Sequence, residues 1–460
     1  MSGGPVRAFA RFTGGLGRDD PPEAVRAYAR RLLLDFLGTA VGGRSSAEVR
    51  ALTGPGQLGE APHEAGVLGT GRVLPAADAA FANGCAADAY EHQDGYRFGG
   101  FHPSHLIPPV LALAQVRGAT LGELVTAVIA GYEVADRIGE ALHPGATPRG
   151  WFPTAAAYGG AAAAARAAGG GADRIERALG LVAFHVPAVT LESIFAGVTG
   201  KPAFAGQIAR TGAWAALASG AGLGGWDGVL DHPRGPLALM AGEPRPLSVD
   251  DLGERWSLTE VHQKRFAACR HTHAAAQAAV ELATARGLGP GDLRSVEAEV
   301  YDVAAELVDR PVHGAPTAAA ATLSLQYVLA CAVRHGTVHG SHYTPERLAD
   351  PDVLALASRV RVRTAPDLQA AYPESTPARI TVTTADGERF THGVDVPVGD
   401  GRSPLEEGEA EAKFLAYTEP VVGADAARAA LDAVLSGEDV PVTEVIAALT
   451  LPVGAREEAP

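Results

Sequence analysis

The chain has 460 residues, of which 47% are hydrophobic, 20% charged and 6% aromatic. Its formal net charge of −15 argues against a nucleic acid partner, because an acidic surface repels a phosphate backbone. The three cysteines form no Cys-x-x-Cys pair, which argues against a disulfide framework and a cysteine zinc site. No run of about 18 strongly apolar residues predicts a membrane span, and no signal-peptide core opens the chain. We therefore expect a cytoplasmic globular protein with no membrane partner.

Helical periodicity dominates the first 285 residues. Between residues 23 and 41, apolar side chains recur at helical spacing, with two prolines before the segment and two glycines after it. The same pattern predicts helices at 76–89, 109–116, 121–142, 155–168, 173–183, 208–218 and 273–285. Since no convincing period-two alternation interrupts these segments, we expect an all-helical N-terminal part.

The pattern changes near residue 290. Val296, Ala298 and Val300 alternate with glutamates, which indicates a half-buried strand. Similar alternation occurs at 359–363, and Asp-Gly at 386–387 predicts a hairpin between two further strands. Helices are predicted at 318–334, 351–358, 404–417 and 424–435. The predicted fold class is mainly α with a smaller α+β domain: a helical domain of residues 1–264 and 401–460, with an α+β lid domain of residues 265–400 inserted.

The densest polar segment, residues 91–105, lies between predicted helices. It contains Glu91, Asp94, Arg97 and His102 together with two further histidines. Catalytic groups concentrate on loops that a rigid scaffold positions. We therefore take this segment as a candidate catalytic loop, and the alternative is a polar surface loop.

A second polar segment, residues 264–273, follows the helical part and reads Lys-Arg-Phe-Ala-Ala-Cys-Arg-His-Thr-His. Clefts between domains are favoured ligand sites, and this segment lies at the predicted domain junction. Lys264 and Arg270 are suited to hold carboxylates, and His271 or His273 to carry protons. The alternative is a basic linker with helix-capping histidines.

Two single residues complete the candidates. Lysine occurs at three positions only, and arginine serves elsewhere as the surface cation. The retention of Lys201 therefore suggests that an ammonium group is specifically needed there. Tyr327 lies within a predicted helix, where a tyrosine usually belongs to the core.

We predict no metal and no cofactor. The histidine spacings 102–105 and 271–273 lack a matching set of carboxylates. Gly220, Gly222 and Gly225 match a dinucleotide-binding pattern, but a predicted helix precedes them, whereas that motif requires a strand.

Several fragments together resemble a known family. They are Arg31-Leu-Leu-Leu-Asp-Phe-Leu-Gly38, Ala82-Asn-Gly-Cys-Ala-Ala-Asp-Ala-Tyr-Glu91, His102-Pro-Ser, Gly131-Tyr-Glu-Val-Ala-Asp136, Lys201 with Gly206, residues 264–273 and Ser324-Leu-Gln-Tyr327. In order and spacing they resemble the MmgE/PrpD superfamily, which includes 2-methylcitrate dehydratase, cis-aconitate decarboxylase and iminodisuccinate epimerase. The resemblance implies a helical domain with an α+β lid, usually a homodimer, and a cofactor-independent site between the domains for a small polycarboxylate.

The resemblance also implies roles for single residues. His102, Lys201, Lys264 and Tyr327 fall on active-site positions of the family. Glu91 falls where an aspartate is common, with Asp94 on a neighbouring acidic position.

Three positions depart from the family pattern. Gly95 replaces a frequent threonine, and Phe152 stands where many members carry histidine. Cys269 falls on the histidine position of cis-aconitate decarboxylase. The chain is therefore not expected to be a plain cis-aconitate decarboxylase.

The candidate residues suit proton transfer next to a carboxylate. Removal of such a proton creates an enolate-like charge that Lys201, Lys264 and Arg270 are placed to stabilise. His102 is suited to act as base or acid, because the unperturbed imidazole pKa lies near neutrality. The same groups serve dehydration, epimerisation and decarboxylation. We predict a lyase of the dehydratase kind, with an isomerase or epimerase, a decarboxylase and a non-catalytic metabolite-binding protein as the alternatives.

Overall fold

The structure, a computed structural model, describes residues 4–53, 65–97, 100–186 and 188–451. Helices make up most of the first 250 residues. Their bounds are α1 Pro5–Gly15, α2 Glu23–Gly43, α3 Ala47–Thr53, α4 Ala76–Asp88, α5 Ile107–Arg117, α6 Leu121–Leu142, α7 Ala155–Ala167, α8 Ala172–Leu181, α9 Leu191–Phe195, α10 Pro202–Gly220 and α11 Pro236–Ala241.

Small residues let the central helices approach closely. A Cβ atom added to Gly159 on α7 would lie 2.4 Å from the carbonyl oxygen of Gly131 on α6. On α10, a Cβ atom added to Gly206 would lie 2.5 Å from the sulfur of Cys85 on α4. Both contacts are possible only without a side chain, since real Cβ atoms do not approach so closely. The second contact holds the C-terminal end of α4 beside the N-terminal end of α10, where the candidate site lies.

Within the described ranges, four two-residue strands interrupt the helical part, and the period-two pattern did not predict them. They are β1 Ala65–Gly66, β2 Val73–Leu74, β3 Gly95–Tyr96 and β4 Val261–His262. They form two antiparallel pairs, β1 with β2 and β3 with β4. The β3–β4 pair places Gly95 opposite His262, and it thereby joins the two polar segments of the sequence.

The smaller part of the protein is built on one four-stranded sheet. Its strands are β5 Leu293–Val300, β6 Val360–Thr364, β7 Ala378–Thr384 and β8 Arg389–Val394, in the order β6-β5-β7-β8. β5 runs parallel to β6 and antiparallel to β7, with Val296 opposite both Val360 and Val382. The β7–β8 hairpin turns at Gly387, which has a φ of 96°. The predicted Asp-Gly hairpin is present.

Helices pack around this sheet and continue after it. They are α12 His273–Arg286, α13 Asp302–Val308, α14 Ala318–Thr322, α15 Leu325–His335, α16 Pro345–Leu348, α17 Pro351–Ala357, α18 Pro366–Ala371, α19 Glu409–Val422, α20 Ala424–Ser436 and α21 Val442–Ala448. The predicted helix at 318–334 is divided, because the Ser324 side chain accepts from the Tyr327 N–H and starts α15 anew. The predicted helix at 404–417 begins later, at Glu409.

The last helices pack against the N-terminal part. α19 lies along α2, where a Cβ atom on Gly38 would be 3.2 Å from the Phe414 Cα atom. The Val442 N–H also donates to the Ala119 carbonyl oxygen at 2.9 Å. The architecture confirms the predicted class, mainly α with a smaller α+β part. The domain boundaries at 264/265 and 400/401 stay a prediction. None of the helices in the described ranges is long and apolar enough to cross a membrane.

Candidate active site

The catalytic-loop candidate begins with an unusual backbone conformation at Glu91. Its φ of 53° is left-handed, and among the described residues other than glycine it alone has a positive φ. Such a conformation costs on the order of 1–3 kcal/mol and is typical of functional sites. Lys264 Nζ donates to the Glu91 carbonyl oxygen at 2.8 Å and so fixes this turn. The turn aims the Glu91 carboxylate at two lysines.

Two carboxylates and two ammonium groups alternate in a buried chain, which we call the ion cluster: Asp88, Lys201, Glu91 and Lys264. Lys201 Nζ lies 2.7 Å from Asp88 Oδ2 and 2.6 Å from Glu91 Oε1. Lys264 Nζ lies 2.7 Å from Glu91 Oε2. All four residues are buried, and their formal charges cancel. Charges are kept in a protein interior when they are paired in this way.

Both carboxyl groups of the ion cluster have lowered pKa values. Burial alone would raise the pKa of the Glu91 carboxyl group, but Lys201 and Lys264 outweigh burial and hold this pKa well below its usual range. Burial would also raise the pKa of the Asp88 carboxyl group, but Lys201 outweighs burial, and this pKa is lowered as well. Each ammonium has three N–H groups, of which the described contacts use two. These contacts therefore leave one N–H of each lysine unused.

His102 lies next to the ion cluster, and its Nε2 atom carries no proton. Its Nδ1 atom lies 2.7 Å from the Asp94 carbonyl oxygen, which can only accept, so Nδ1 carries the proton. The lone pair is then on Nε2, 3.7 Å from Glu91 Oε2. Burial and Lys264 lower the pKa of His102 to about 3. The near-neutral pKa expected from the sequence is not observed, but a bound carboxylate would raise it, because negative charge favours the imidazolium form.

Asp94 holds the loop rather than facing the ion cluster. Its Oδ1 atom accepts from the Ser104 N–H at 3.1 Å, and its Oδ2 atom accepts from the Tyr132 hydroxyl at 2.7 Å. Because its carbonyl oxygen binds His102, Asp94 acts on the base through the backbone. Its predicted direct part in catalysis stays a prediction.

Sequence reasoning missed Asp88 and His105. Asp88 is the last residue of α4, where the helix dipole disfavours a negative charge, and this unusual placement was the available signal. His105 Nε2 lies 3.2 Å from Asp88 Oδ1, and Gln93 Nε2 donates to the same oxygen at 2.6 Å. The two contacts orient the Asp88 carboxylate toward Lys201.

Arg270 and His271 contact groups outside the ion cluster. An Arg270 guanidinium nitrogen is 3.2 Å from Asp400 Oδ2, and His271 Nδ1 is paired with the Tyr301 hydroxyl. Burial lowers the pKa of His271 to about 3, with contributions from Arg270 and Lys264.

Three other candidates contact different groups. The His273 Nε2–H donates to the Ala268 carbonyl oxygen at 3.2 Å, and the Tyr327 hydroxyl donates to the Arg347 carbonyl oxygen at 3.3 Å. Arg97 pairs with carboxylates at 3.7 and 3.8 Å outside the ion cluster. Within the described contacts, none of the three touches the ion cluster. Their substrate-binding and catalytic roles stay predictions.

Comparison with known proteins decides the family. The model of the MmgE/PrpD N-terminal domain matches residues 7–247, and that of the MmgE/PrpD C-terminal domain matches residues 266–438. The chain belongs to the MmgE/PrpD family. The resemblance seen in the sequence fragments is thereby confirmed.

Curated relatives of this MmgE/PrpD protein are cis-aconitate decarboxylases. The mouse enzyme (Mus musculus) is 26% identical, and the alignment covers 99% of this chain and 95% of the relative. The human enzyme (Homo sapiens) is 27% identical over 96% and 94% of the two chains. An enzyme of Aspergillus terreus is 24% identical over 86% of each.

The positions that depart from the family pattern lie around His102 and the ion cluster. The Phe152 ring centroid is 6.2 Å from that of His102 and 5.1 Å from that of Phe204, so an apolar ring lies beside His102. Cys269 is buried, and burial together with Glu91 raises the pKa of its thiol to about 11. Both side chains are therefore neutral at physiological pH.

Two groups of metal-ligating side chains occur in the described part of the chain. In the first, Asp88, Glu91 and His102, the Lys201 ammonium already bridges the two carboxylates as a cation. The second comprises Cys331, His335 and His342. There the histidine rings stack at 4.3 Å with an interplanar angle of 26°, and His342 Nδ1 already accepts from a backbone N–H. The predicted independence from metal stays a prediction.

The buried histidines of this MmgE/PrpD protein predict loss of stability in acid. Burial is the main cause that lowers the pKa to about 3 for His102, His271 and His273, and well below the ordinary value for His92 and His262. Below about pH 6.5 the unfolded chain binds protons at these groups and the folded chain does not. The free energy of unfolding should therefore fall by about 1.4 kcal/mol per pH unit for each histidine.

Buried carboxyl groups oppose this trend only in part. Burial raises the pKa of Asp35 to about 6, so the folded protein gains a proton there as the pH falls. Asp94, Glu133 and Asp136 also have raised pKa values, but the five histidines outnumber them. Urea unfolding should give a lower free energy at pH 5.5 than at pH 7.5. Equal stability at the two pH values would show that the histidines gain protons while folded.

Proposed function

We propose that this protein is a cofactor-independent lyase that acts on a small di- or tricarboxylate by proton transfer at the carbon next to a carboxylate. The observation that carries the proposal is the unprotonated Nε2 atom of His102 beside two buried ammonium groups. A base next to ammonium N–H donors is what enolate chemistry requires, because such donors stabilise the charge that develops on the substrate oxygen.

Each side chain has a defined task in this proposal. The free N–H groups of Lys201 and Lys264 bind an oxygen of the substrate carboxylate and stabilise the charge that develops on it. His102 Nε2 accepts the proton from the neighbouring carbon, and the Asp94 carbonyl oxygen holds the ring in place. Glu91 keeps both ammonium groups oriented.

Dehydration is the proposed reaction. The C–H and C–O bonds break, a C=C bond forms, and the hydroxide leaves with the proton from His102 as water. By family resemblance, Phe152 stands where many members carry histidine, and Cys269 stands where cis-aconitate decarboxylase carries histidine. The lack of both histidines supports dehydration. Decarboxylation is the second candidate, since the curated relatives are named cis-aconitate decarboxylases.

Product analysis distinguishes the two reactions. The protein is incubated separately with citrate, 2-methylcitrate and cis-aconitate, and products are followed by NMR together with a carbon dioxide assay. We expect an unsaturated tricarboxylate from one hydroxy acid and no carbon dioxide. Carbon dioxide release from cis-aconitate would establish the decarboxylase instead.

Activity should survive exhaustive chelation. Activity that is lost to a chelator and restored by a divalent ion would contradict the proton-transfer scheme.

We also propose that the protein forms a homodimer. The family resemblance implies a homodimer, and apolar side chains available for such a contact are exposed at Phe184, Leu217 and Leu223, with exposed fractions of 68%, 44% and 51%. Exposed apolar patches mark contact surfaces. Light scattering at micromolar concentration should give twice the chain mass of 47.1 kDa, and Leu217→Glu should shift it toward the monomer. A wild-type monomer would contradict the proposal.

A further inference from the structure

His262 is a buried polar side chain without a partner. Its exposed fraction is 5%, and neither ring nitrogen has a hydrogen-bond partner in the described part of the chain. Burial of a polar group without a hydrogen bond is costly, and most buried polar side chains are therefore paired. An orphaned imidazole in the interior is therefore able to take a hydrogen-bond partner that the described residues do not supply.

The position of His262 places it in the candidate active site. The β3–β4 pair sets His262 opposite Gly95, and a Cβ atom on Gly95 would lie 2.4 Å from its Cε1 atom and 2.5 Å from its Nε2 atom. The ring therefore occupies the space that a side chain at position 95 would fill. Gly95 directly follows Asp94, whose carbonyl oxygen holds His102. Lys264, a member of the ion cluster, is two residues beyond His262.

The charges around His262 favour an anion. Within the ion cluster two carboxylates balance two ammonium groups, so no charge is left over. Arg270 and Arg402 share the single carboxylate of Asp400 at 3.2 and 3.0 Å, so these three side chains together carry one net positive charge. After burial, Arg270 and then Lys264 are the largest causes that lower the pKa of His262. The ring is therefore neutral and has one N–H to donate.

We propose that His262 and Arg270 form a carboxylate-binding subsite, in which the His262 ring N–H donates to one oxygen of a substrate carboxylate and Arg270 supplies the charge. The inference rests on the proposed function, since it assumes a polycarboxylate substrate. It adds His262 as a residue that selects substrates with a carboxylate at this end of the site. Gly95 is the positioning residue that leaves room for the ring.

Calorimetric binding of cis-aconitate and of citrate to the full chain tests the subsite. His262→Ala should weaken the affinity for the bound tricarboxylate by about tenfold or more, the effect of losing a hydrogen bond to a charged group. His262→Gln should retain most of the affinity, because the amide restores a donor. His392→Ala is the matched control, since that histidine lies on the exposed surface of β8 and contacts Glu281.

A cycle with Gly95 tests the position of the ring. Gly95→Ala should weaken binding as His262→Ala does, because its Cβ atom displaces the ring, and Gly95→Ala should add no further loss in the His262→Ala background. Independent, additive losses would contradict the shared space.

The outcomes separate this inference from the proposed function. If wild type binds a tricarboxylate and His262→Ala binds it equally well, the subsite is wrong and the proposed function stands. If wild type binds neither these two compounds nor 2-methylcitrate, the proposed function fails and the inference fails with it. His262→Met should not lower the melting temperature, since the ring has no partner to lose. A clear decrease would give His262 a structural role and overturn the inference.

Discussion

Replacement of His102 by glutamine is expected to lower kcat by about 10²–10⁴, the range for loss of a general base. The Nε2 atom of His102 carries a lone pair beside the ion cluster because Nδ1 donates to the Asp94 carbonyl oxygen. Glutamine keeps a polar side chain in this place but cannot accept a proton at a useful pKa. Affinity for the carboxylate substrate should change little, since Lys201 and Lys264 remain.

The measurement is steady-state kinetics on the substrate found by product analysis. His392→Gln serves as the control and should retain wild-type kinetics, because this side chain is 41% exposed and lies on the sheet. A His102→Gln protein with wild-type kcat would remove His102 from the proposed chemistry. An unchanged melting temperature would show that any loss is not caused by unfolding.

Lys201→Met is expected to have the largest effect on stability. The substitution leaves Asp88 and Glu91 with only Lys264 as a counter-charge, and all of these groups are buried. Breaking a buried ion pair from one side costs about 3–5 kcal/mol, because an uncompensated charge remains. Urea unfolding measures this loss. The loss should be smaller at low pH, since a carboxyl group freed from Lys201 takes up a proton.

The double variant Lys201→Met with Asp88→Asn is the matched control. It removes one charge of each sign, so it should recover most of the lost stability. Activity should stay low, because the N–H group that Lys201 offers to the substrate is still missing. Wild-type stability of Lys201→Met alone would mean that the ion cluster is not charged as described.

The sequence predicted the regular elements best where local signals agree. Helix α6 was predicted at 121–142 and is found at those residues, because Thr120 and Glu123 form a capping box at its start. The strand at Val296 was predicted because alternation spans several residues. The two-residue strands β3 and β4 were not predicted, because each depends on a partner far away in the sequence and is too short to show a period.

The candidate site was predictable where residue types are rare or grouped. Glu91, His102 and Lys264 lie in dense polar segments, and Lys201 is one of three lysines. Asp88 was missed because it lies in an alanine-rich helix and meets Lys201 only through the packing of α4 against α10. His262 was not among the predicted site residues, since its burial opposite Gly95 depends on strand pairing that no local pattern shows.

Hydrogen–deuterium exchange in heavy water tests the central claim most directly. The wild-type protein and His102→Gln are incubated in D2O with the substrate found by product analysis, and NMR records deuterium at the carbon next to the carboxylate in recovered substrate. Proton transfer by His102 predicts deuterium at that carbon with wild type and almost none with the variant, while calorimetry shows that both still bind the substrate. Exchange at the wild-type rate in His102→Gln would contradict the account.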